Sequence, residues 1–104
     1  MVGYIQIAQS EEVKERFAIS VTVNSKNIAV FRYNGKVYAL LDSCPHQAAP
    51  ISDGYVDEGF AVCPHHGWKF KLEDGSFSHN ELIKIPAFNV KEKDGLIFIN
   101  SEND

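Results

Sequence analysis

The stretch Ile28-Ala29-Val30-Phe31-Arg32-Tyr33-Asn34-Gly35-Lys36-Val37-Tyr38-Ala39-Leu40-Leu41 decides the fold. Two runs rich in apolar and β-branched residues flank Asn34-Gly35. A type I′ turn needs positive φ at both central positions, and Asn-Gly tolerates that best, so the stretch predicts a tight antiparallel hairpin. Working outward toward the N-terminus, Phe17, Ile19, Val21 and Val23 alternate with Ala18, Ser20, Thr22 and Asn24, the period of a half-buried strand. Asn24-Ser25-Lys26-Asn27 is turn chemistry between that strand and the hairpin. Residues 3–8 read as a strand. Ser10-Glu11-Glu12 reads as one turn of helix capped by Ser10, its capping box left open by Val13.

Toward the C-terminus, short strands are expected near Tyr55-Val56 and Phe60–Val62, then over Trp68–Leu72, Ser76-Phe77, Ile85–Val90 and Leu96–Ile99. Asp74-Gly75 and Asp94-Gly95 mark further tight turns, and residues 78–83 read as irregular. About nine short strands with three tight-turn dipeptides predict an all-β, antiparallel domain. A chain of 104 residues without repeat, linker or composition shift is expected to be one domain, 1–104.

Charge and hydropathy exclude several classes. The net charge is −4 and the basic residues are scattered, so a nucleic-acid partner is not expected. A run of about 18 apolar residues is absent, and the N-terminus lacks a charged region followed by an apolar core. The expectation is a soluble, cytoplasmic protein with no membrane partner. The sequence contains no P-loop, dinucleotide fingerprint or Ser-His-Asp pattern, so it is not expected to be an enzyme on its own.

The chemistry concentrates in Cys44-Pro45-His46 and Cys63-Pro64-His65-His66, separated by sixteen residues. These are the two cysteines of the chain and three of its four histidines, in a loop-rich region, about 42–68, that also carries three of the four prolines. One disulfide is possible, but cysteines interleaved with histidines in a cytosolic chain point to metal. Thiolate and imidazole together suit iron or zinc. The candidate ligands are Cys44, His46, Cys63 and His66, and the prolines restrict φ in the loops that carry them. Zinc knuckles space their ligands as Cys-x2–4-Cys or His-x3–5-His, which Cys-x-His fits poorly. A zinc-stabilised interaction module stays open as an alternative.

Cys44-Pro45-His46 and Cys63-Pro64-His65-His66-Gly67-Trp68 resemble the two binding loops of Rieske iron–sulfur proteins. Gln47-Ala48-Ala49-Pro50-Ile51-Ser52-Asp53-Gly54 resembles the segment after the first loop in soluble Rieske ferredoxins, and the likeness continues through Phe70-Lys71-Leu72 and Asp74-Gly75. The resemblance implies stacked small sheets with a loop-rich cluster-binding subdomain inserted. It implies one [2Fe–2S] cluster per chain, Cys44 and Cys63 on one iron and His46 and His66 on the other. Two ferric ions and two sulfides sum to +2, so two thiolates leave the oxidised centre neutral and the loaded chain at its −4. Respiratory and photosynthetic Rieske subunits typically carry an extra disulfide-bonded cysteine in each loop; here those positions are Ala49 and His65. They also typically carry a Ser and a Tyr hydroxyl bonded to sulfur, where this chain has Trp68 and Phe70. Fewer such bonds imply a potential in the lower part of the Rieske span of about −150 to +300 mV.

By the same resemblance the chain is a one-electron carrier between a flavoprotein reductase and an oxygenase or related redox enzyme. Partners would dock over His46, His66 and the rim of Pro45, Pro64 and Trp68. An accessory subunit resembling the small component of nitrite reductase is the alternative within the family. Of the neighbours, His65 and His79 read as surface residues, His65 with a further reading as a tuning or docking group. Trp68 reads as packing beneath the loops, and Gly54, Gly67 and Gly75 as serving backbone geometry. Asp53, Asp57 and Glu58 read as a solvated face that could also meet a basic partner.

Overall fold

The structure is a computed structural model, and it describes residues 3–44, 49–65 and 67–100. Among them run twelve strands: β1 (Tyr4–Gln9), β2 (Ala18–Val23), β3 (Lys26–Tyr33), β4 (Lys36–Leu41), β5 (Tyr55–Asp57), β6 (Phe60–Val62), β7 (Lys69–Lys71), β8 (Ser76–Phe77), β9 (Asn80–Lys84), β10 (Ala87–Phe88), β11 (Val90–Lys93) and β12 (Leu96–Asn100). Single 3₁₀ turns occupy Ser10–Glu12 and Ile51–Asp53. The strands form three antiparallel sheets, β1-β12-β11, β10-β4-β3-β2 and β5-β6-β7-β8-β9. The all-β, antiparallel expectation holds. Among the described residues no helix is long and apolar enough to cross a membrane.

The Asn34-Gly35 hairpin forms as the sequence dictates. Both residues have positive φ, 52° and 79°, and the register runs from Tyr33↔Lys36 to Ile28↔Leu41. Because side chains alternate across a strand, this hairpin feeds two cores. Ile28, Val30, Val37 and Ala39 meet Ala8, Phe88, Ile97 and Ile99 on one face. Ala29, Phe31 and Leu40 meet Ile51, Ala61, Phe70 and both cysteines on the other. The four-stranded sheet is therefore the middle layer, buried on both sides, which is why Ile28–Phe31 reads as a continuous apolar run. Phe31 is fully buried, worth about 1.5–3 kcal/mol relative to exposure.

Arg32, on the same strand, staples the layers at one end. Its Nε donates to the Val13 carbonyl at 2.7 Å, Nη2 to the Ser10 carbonyl at 3.0 Å and Nη1 to the Gly35 carbonyl at 3.0 Å. The guanidinium also forks onto Glu92, at 2.7 and 3.2 Å. That pair, little exposed, holds Arg32 above and Glu92 below its ordinary range, chiefly through the shared hydrogen bonds.

Local departures from the sequence reading have local causes. Asn24 and Ser25 both take positive φ, 50° and 66°, so β3 begins at Lys26 rather than Ile28. Glu12, not a residue at position 13, closes on the start of the 3₁₀ turn: its carboxylate accepts the Gln9 N–H at 2.7 Å, so the cap is one residue earlier than expected. Phe17 lies outside β2 and is 59% exposed, so the apolar alternation starts at Ile19. The Ile85–Val90 run breaks at Asn89 into β10 and β11, which join different sheets. Residues expected to be irregular contain β9, an edge strand whose burial alternates too little to leave a period of two in the sequence.

Candidate metal centre

Cys44 follows β4 and Cys63 follows β6, each leaving a strand of the core at the point where a loop begins. The two loops close alike. The Cys44 N–H donates to the Ala49 carbonyl and the Cys63 N–H to the Trp68 carbonyl, both at 2.8 Å and both five residues along. The Gly67 N–H donates back to the Cys63 carbonyl at 3.0 Å, with Gly67 at a φ of 70° that favours glycine. Both cysteines are 1% exposed, lie in one apolar cluster and form no disulfide.

The structure thus places two of the four candidate ligands, Cys44 and Cys63, in one buried cluster. The other two, His46 and His66, lie outside the described residues, as does Pro45. The donor chemistry fits the implied cluster. Two thiols sit unlinked in one apolar layer, and each opens a loop that carries an imidazole two or three residues later. An apolar, low-dielectric floor of this kind suits a neutral thiolate-bound centre.

The apolar cluster that holds both cysteines also contains Ile51, Phe70 and Phe77. Trp68, half-buried, stacks on Phe77 with ring centroids 4.2 Å apart and 15° between planes. Phe70 completes the group at 5.6 Å from Phe77 and 6.3 Å from Trp68. Trp68 therefore packs, as expected, and Phe70 presents no hydroxyl. Gly54 abuts the other loop: a Cβ there would overlap the Val62 carbonyl oxygen, immediately before Cys63. Gly75, at a φ of 78°, is excluded from bearing a side chain in the same way by the Ile85 carbonyl.

His65 and His79 are exposed, as read from the sequence; His79 meets Phe77 edge-on at 5.5 Å. Asp53 and Glu58 face solvent. Asp57 pairs with Lys69 at 2.9 Å, a hydrogen-bonded contact that raises Lys69 above its ordinary range, but both side chains are more than 40% exposed, so solvent screens the pair and it adds little to stability.

Sequence reasoning missed Asp42 and Ser52. Asp42 is 7% exposed, and its two carboxylate oxygens accept from the Ser52 N–H at 2.8 Å and the Ser52 hydroxyl at 2.7 Å. The available signal was an acid directly after the apolar run Val37–Leu41, where a buried charge demands partners. The Glu58-Gly59 turn, with φ of 47° and 88°, also went unread because Glu is an uncommon residue in the left-handed region.

Comparison with known proteins places these features. A family profile described as "Rieske [2Fe-2S] domain" matches residues 3–89. The ferredoxin component of the naphthalene 1,2-dioxygenase/salicylate 5-hydroxylase systems of Ralstonia sp is 30% identical over 101 residues, covering 96% of this chain and 97% of that protein. The oxygenase component of dicamba O-demethylase from Stenotrophomonas maltophilia is 37% identical over 101 residues. That match covers 88% of this chain, which spans 29% of the oxygenase component's length. Among solved structures, a complex of reduced oxygenase and oxidized ferredoxin in carbazole 1,9a-dioxygenase contains a chain that superposes with a TM-score of 0.84 at 25% identity, covering 98% of this chain and 96% of that one.

Proposed function

The chain belongs to the Rieske [2Fe-2S] domain family, and on that premise we propose that it carries single electrons from a flavoprotein reductase to an oxygenase. The observation that carries this reading is the end-to-end match to a ferredoxin component of about the same length, 97% of which is covered. In this reading Cys44 and Cys63 hold one iron, and His46 and His66 hold the other. The cluster, when bound, supplies a one-electron ferric–ferrous couple.

The chain's own residues set the conditions for that couple. Cys44 and Cys63 contribute the two negative charges that neutralise the oxidised centre, and their burial keeps water from the sulfurs. The two closed loops hold the thiolates in place without a disulfide. Phe70 and Trp68 cover the inner side with rings and no hydroxyl, which leaves the added electron less stabilised and the potential low.

A second reading has its own support. Identity to the dicamba oxygenase component is higher, 37%, and the match there is confined to under a third of that protein. On that reading this Rieske domain serves an oxygenase from within. Spectroscopy and kinetics separate the cases. A reddish-brown chain with a low-average-g EPR signal on reduction supports the cluster, and a colourless chain holding zinc overturns it. Rapid reduction by a flavoprotein followed by reoxidation by a separate oxygenase supports the carrier; failure of the second step supports the domain reading.

A further inference from the structure

The two ligand loops are anchored differently. The loop carrying Cys63 tips a hairpin: β6 and β7 are ladder partners, with Val62 opposite Lys69, so the backbone holds both ends. Among its described residues, the loop carrying Cys44 has no such ladder. β4 belongs to the four-stranded sheet and β5 to the five-stranded sheet, so the chain leaves one layer and enters another. The bond from the Cys44 N–H to the Ala49 carbonyl closes the inner ring of this loop but ties it to no strand.

Asp42 supplies the missing link. Its carboxylate spans ten residues to take both Ser52 donors, the N–H at 2.8 Å and the hydroxyl at 2.7 Å. Its own N–H donates to the Asn27 carbonyl at 2.9 Å, which roots the clamp in β3. Ser52 sits in the 3₁₀ turn whose neighbour Ile51 is fully buried among the core residues around both cysteines. We propose that Asp42 is a positioning residue for the first ligand loop, the Asp42–Ser52 clamp doing for Cys44 and His46 what the β6–β7 ladder does for Cys63 and His66. The inference rests on the ligand assignment proposed above.

The molecule contains its own control. Asp74 and Ser76 make a chemically similar clamp, at 2.9 and 2.7 Å, in the turn between β7 and β8. Asp42→Ala and Ser52→Ala weaken or remove the first clamp. Asp42→Asn can keep both contacts, because the amide accepts from the Ser52 N–H and donates to its hydroxyl. Ser76→Ala weakens the second clamp alone. The readouts are the rate of iron loss from the loaded chain to a ferrous chelator, the EPR line shape, the melting temperature and amide hydrogen exchange over residues 43–49.

Asp42→Ala and Ser52→Ala are expected to lose iron roughly tenfold or more faster and to broaden the EPR signal, as loss of charge-assisted hydrogen bonds at a ligand loop requires. Asp42→Asn is expected to restore retention to within about threefold of the parent. Ser76→Ala is expected to lower the melting temperature with iron loss unchanged. Equal acceleration in Ser76→Ala and Ser52→Ala, or parental iron loss in both clamp variants, overturns the proposal. A parent chain that takes up no iron defeats the ligand assignment instead. Exchange then decides the clamp on the metal-free chain: faster exchange over 43–49 in Ser52→Ala than in Ser76→Ala supports it, and equal exchange overturns it.

Discussion

Replacing Gly54 with alanine tests whether the spacing of the two cysteine loops is set by direct backbone contact. Gly54 ends the Ile51–Asp53 turn, its N–H donating to the Ile51 carbonyl at 3.0 Å. Its φ of −92° lies outside the left-handed region, and its surroundings demand glycine for reasons of space. A Cβ would overlap the Val62 carbonyl oxygen, lie 3.0 Å from its carbon and 3.3 Å from the Ile51 oxygen. The Val62 atoms belong to a strand held by Tyr55 on one side and Lys69 on the other. Relief requires β6 and the turn to separate by roughly an ångström, and overpacking of this kind costs about 1–3 kcal/mol, here toward the upper end. For a domain of this size 3 kcal/mol lowers the melting temperature by roughly 12–24 °C. Val62 carries Cys63, and the turn carries the far end of the Cys44 loop, so the displacement passes to the proposed ligands. Metal sites tolerate about ±0.2 Å in ligand distance, so iron and sulfide per chain are expected to fall by more than half, a roughly fivefold overshoot of that tolerance. Gly95→Ala is the matched control. Gly95 has a φ of 77° but no atom within 4 Å of the added methyl, so it costs about 1–2 kcal/mol of backbone strain and leaves iron content unchanged. A Gly54→Ala chain with parental iron content and a melting temperature within about 3 °C of the parent refutes the argument.

Arg32→Met removes the staple at Val13, Ser10, Gly35 and Glu92 and is expected to cost about 3 kcal/mol in urea unfolding, since it strands a partly buried carboxylate and three carbonyls. Glu92 is held below its ordinary value of 4.5, so its contribution is complete above that pH and is lost as pH falls through the lower folded value; the stability gap between the parent and Glu92→Gln should narrow on acidification below about pH 4.5. With Trp68 and Phe70 in place of hydroxyl-bearing residues, a redox titration is expected to return a potential below about +100 mV, and a higher value contradicts the link between sulfur hydrogen bonds and potential. On the proposed ligand assignment, His46→Cys or His66→Cys adds a negative charge to the centre and should lower the potential further wherever the cluster survives.

The site was legible in the sequence to the extent that its chemistry is carried by residue type. Two cysteines and two histidines at Cys-x-His and Cys-x-x-His spacing name the candidate donors without any coordinates. Their neighbours Trp68 and Phe70 could be read as rings without hydroxyls, and the structure places them against Phe77. The acid after the apolar run Val37–Leu41 hinted that Asp42 needs a partner, but Ser52 as that partner was not legible, because it lies ten residues on. Gly54 was legible as a backbone glycine, but its reason, the Val62 carbonyl, belongs to another strand.

By itself the sequence determined what depends on the nearest few residues. Asn34-Gly35 and Asp94-Gly95 impose positive φ and therefore hairpins, and the alternation along β2 and the short apolar run of β3 impose strands. The same logic fails over Ile85–Val90, where one apolar run becomes two strands in two sheets. Only the tertiary structure decided how the strands are shared among three layers, that the middle sheet is buried on both faces, and that Cys44 and Cys63 meet in a single core. The physical reason is one of range. A turn is settled by the steric limits of two residues, whereas the approach of two loops is settled by packing and hydrogen bonds between atoms far apart in the chain, through the Asp42 clamp and the bare Cα of Gly54.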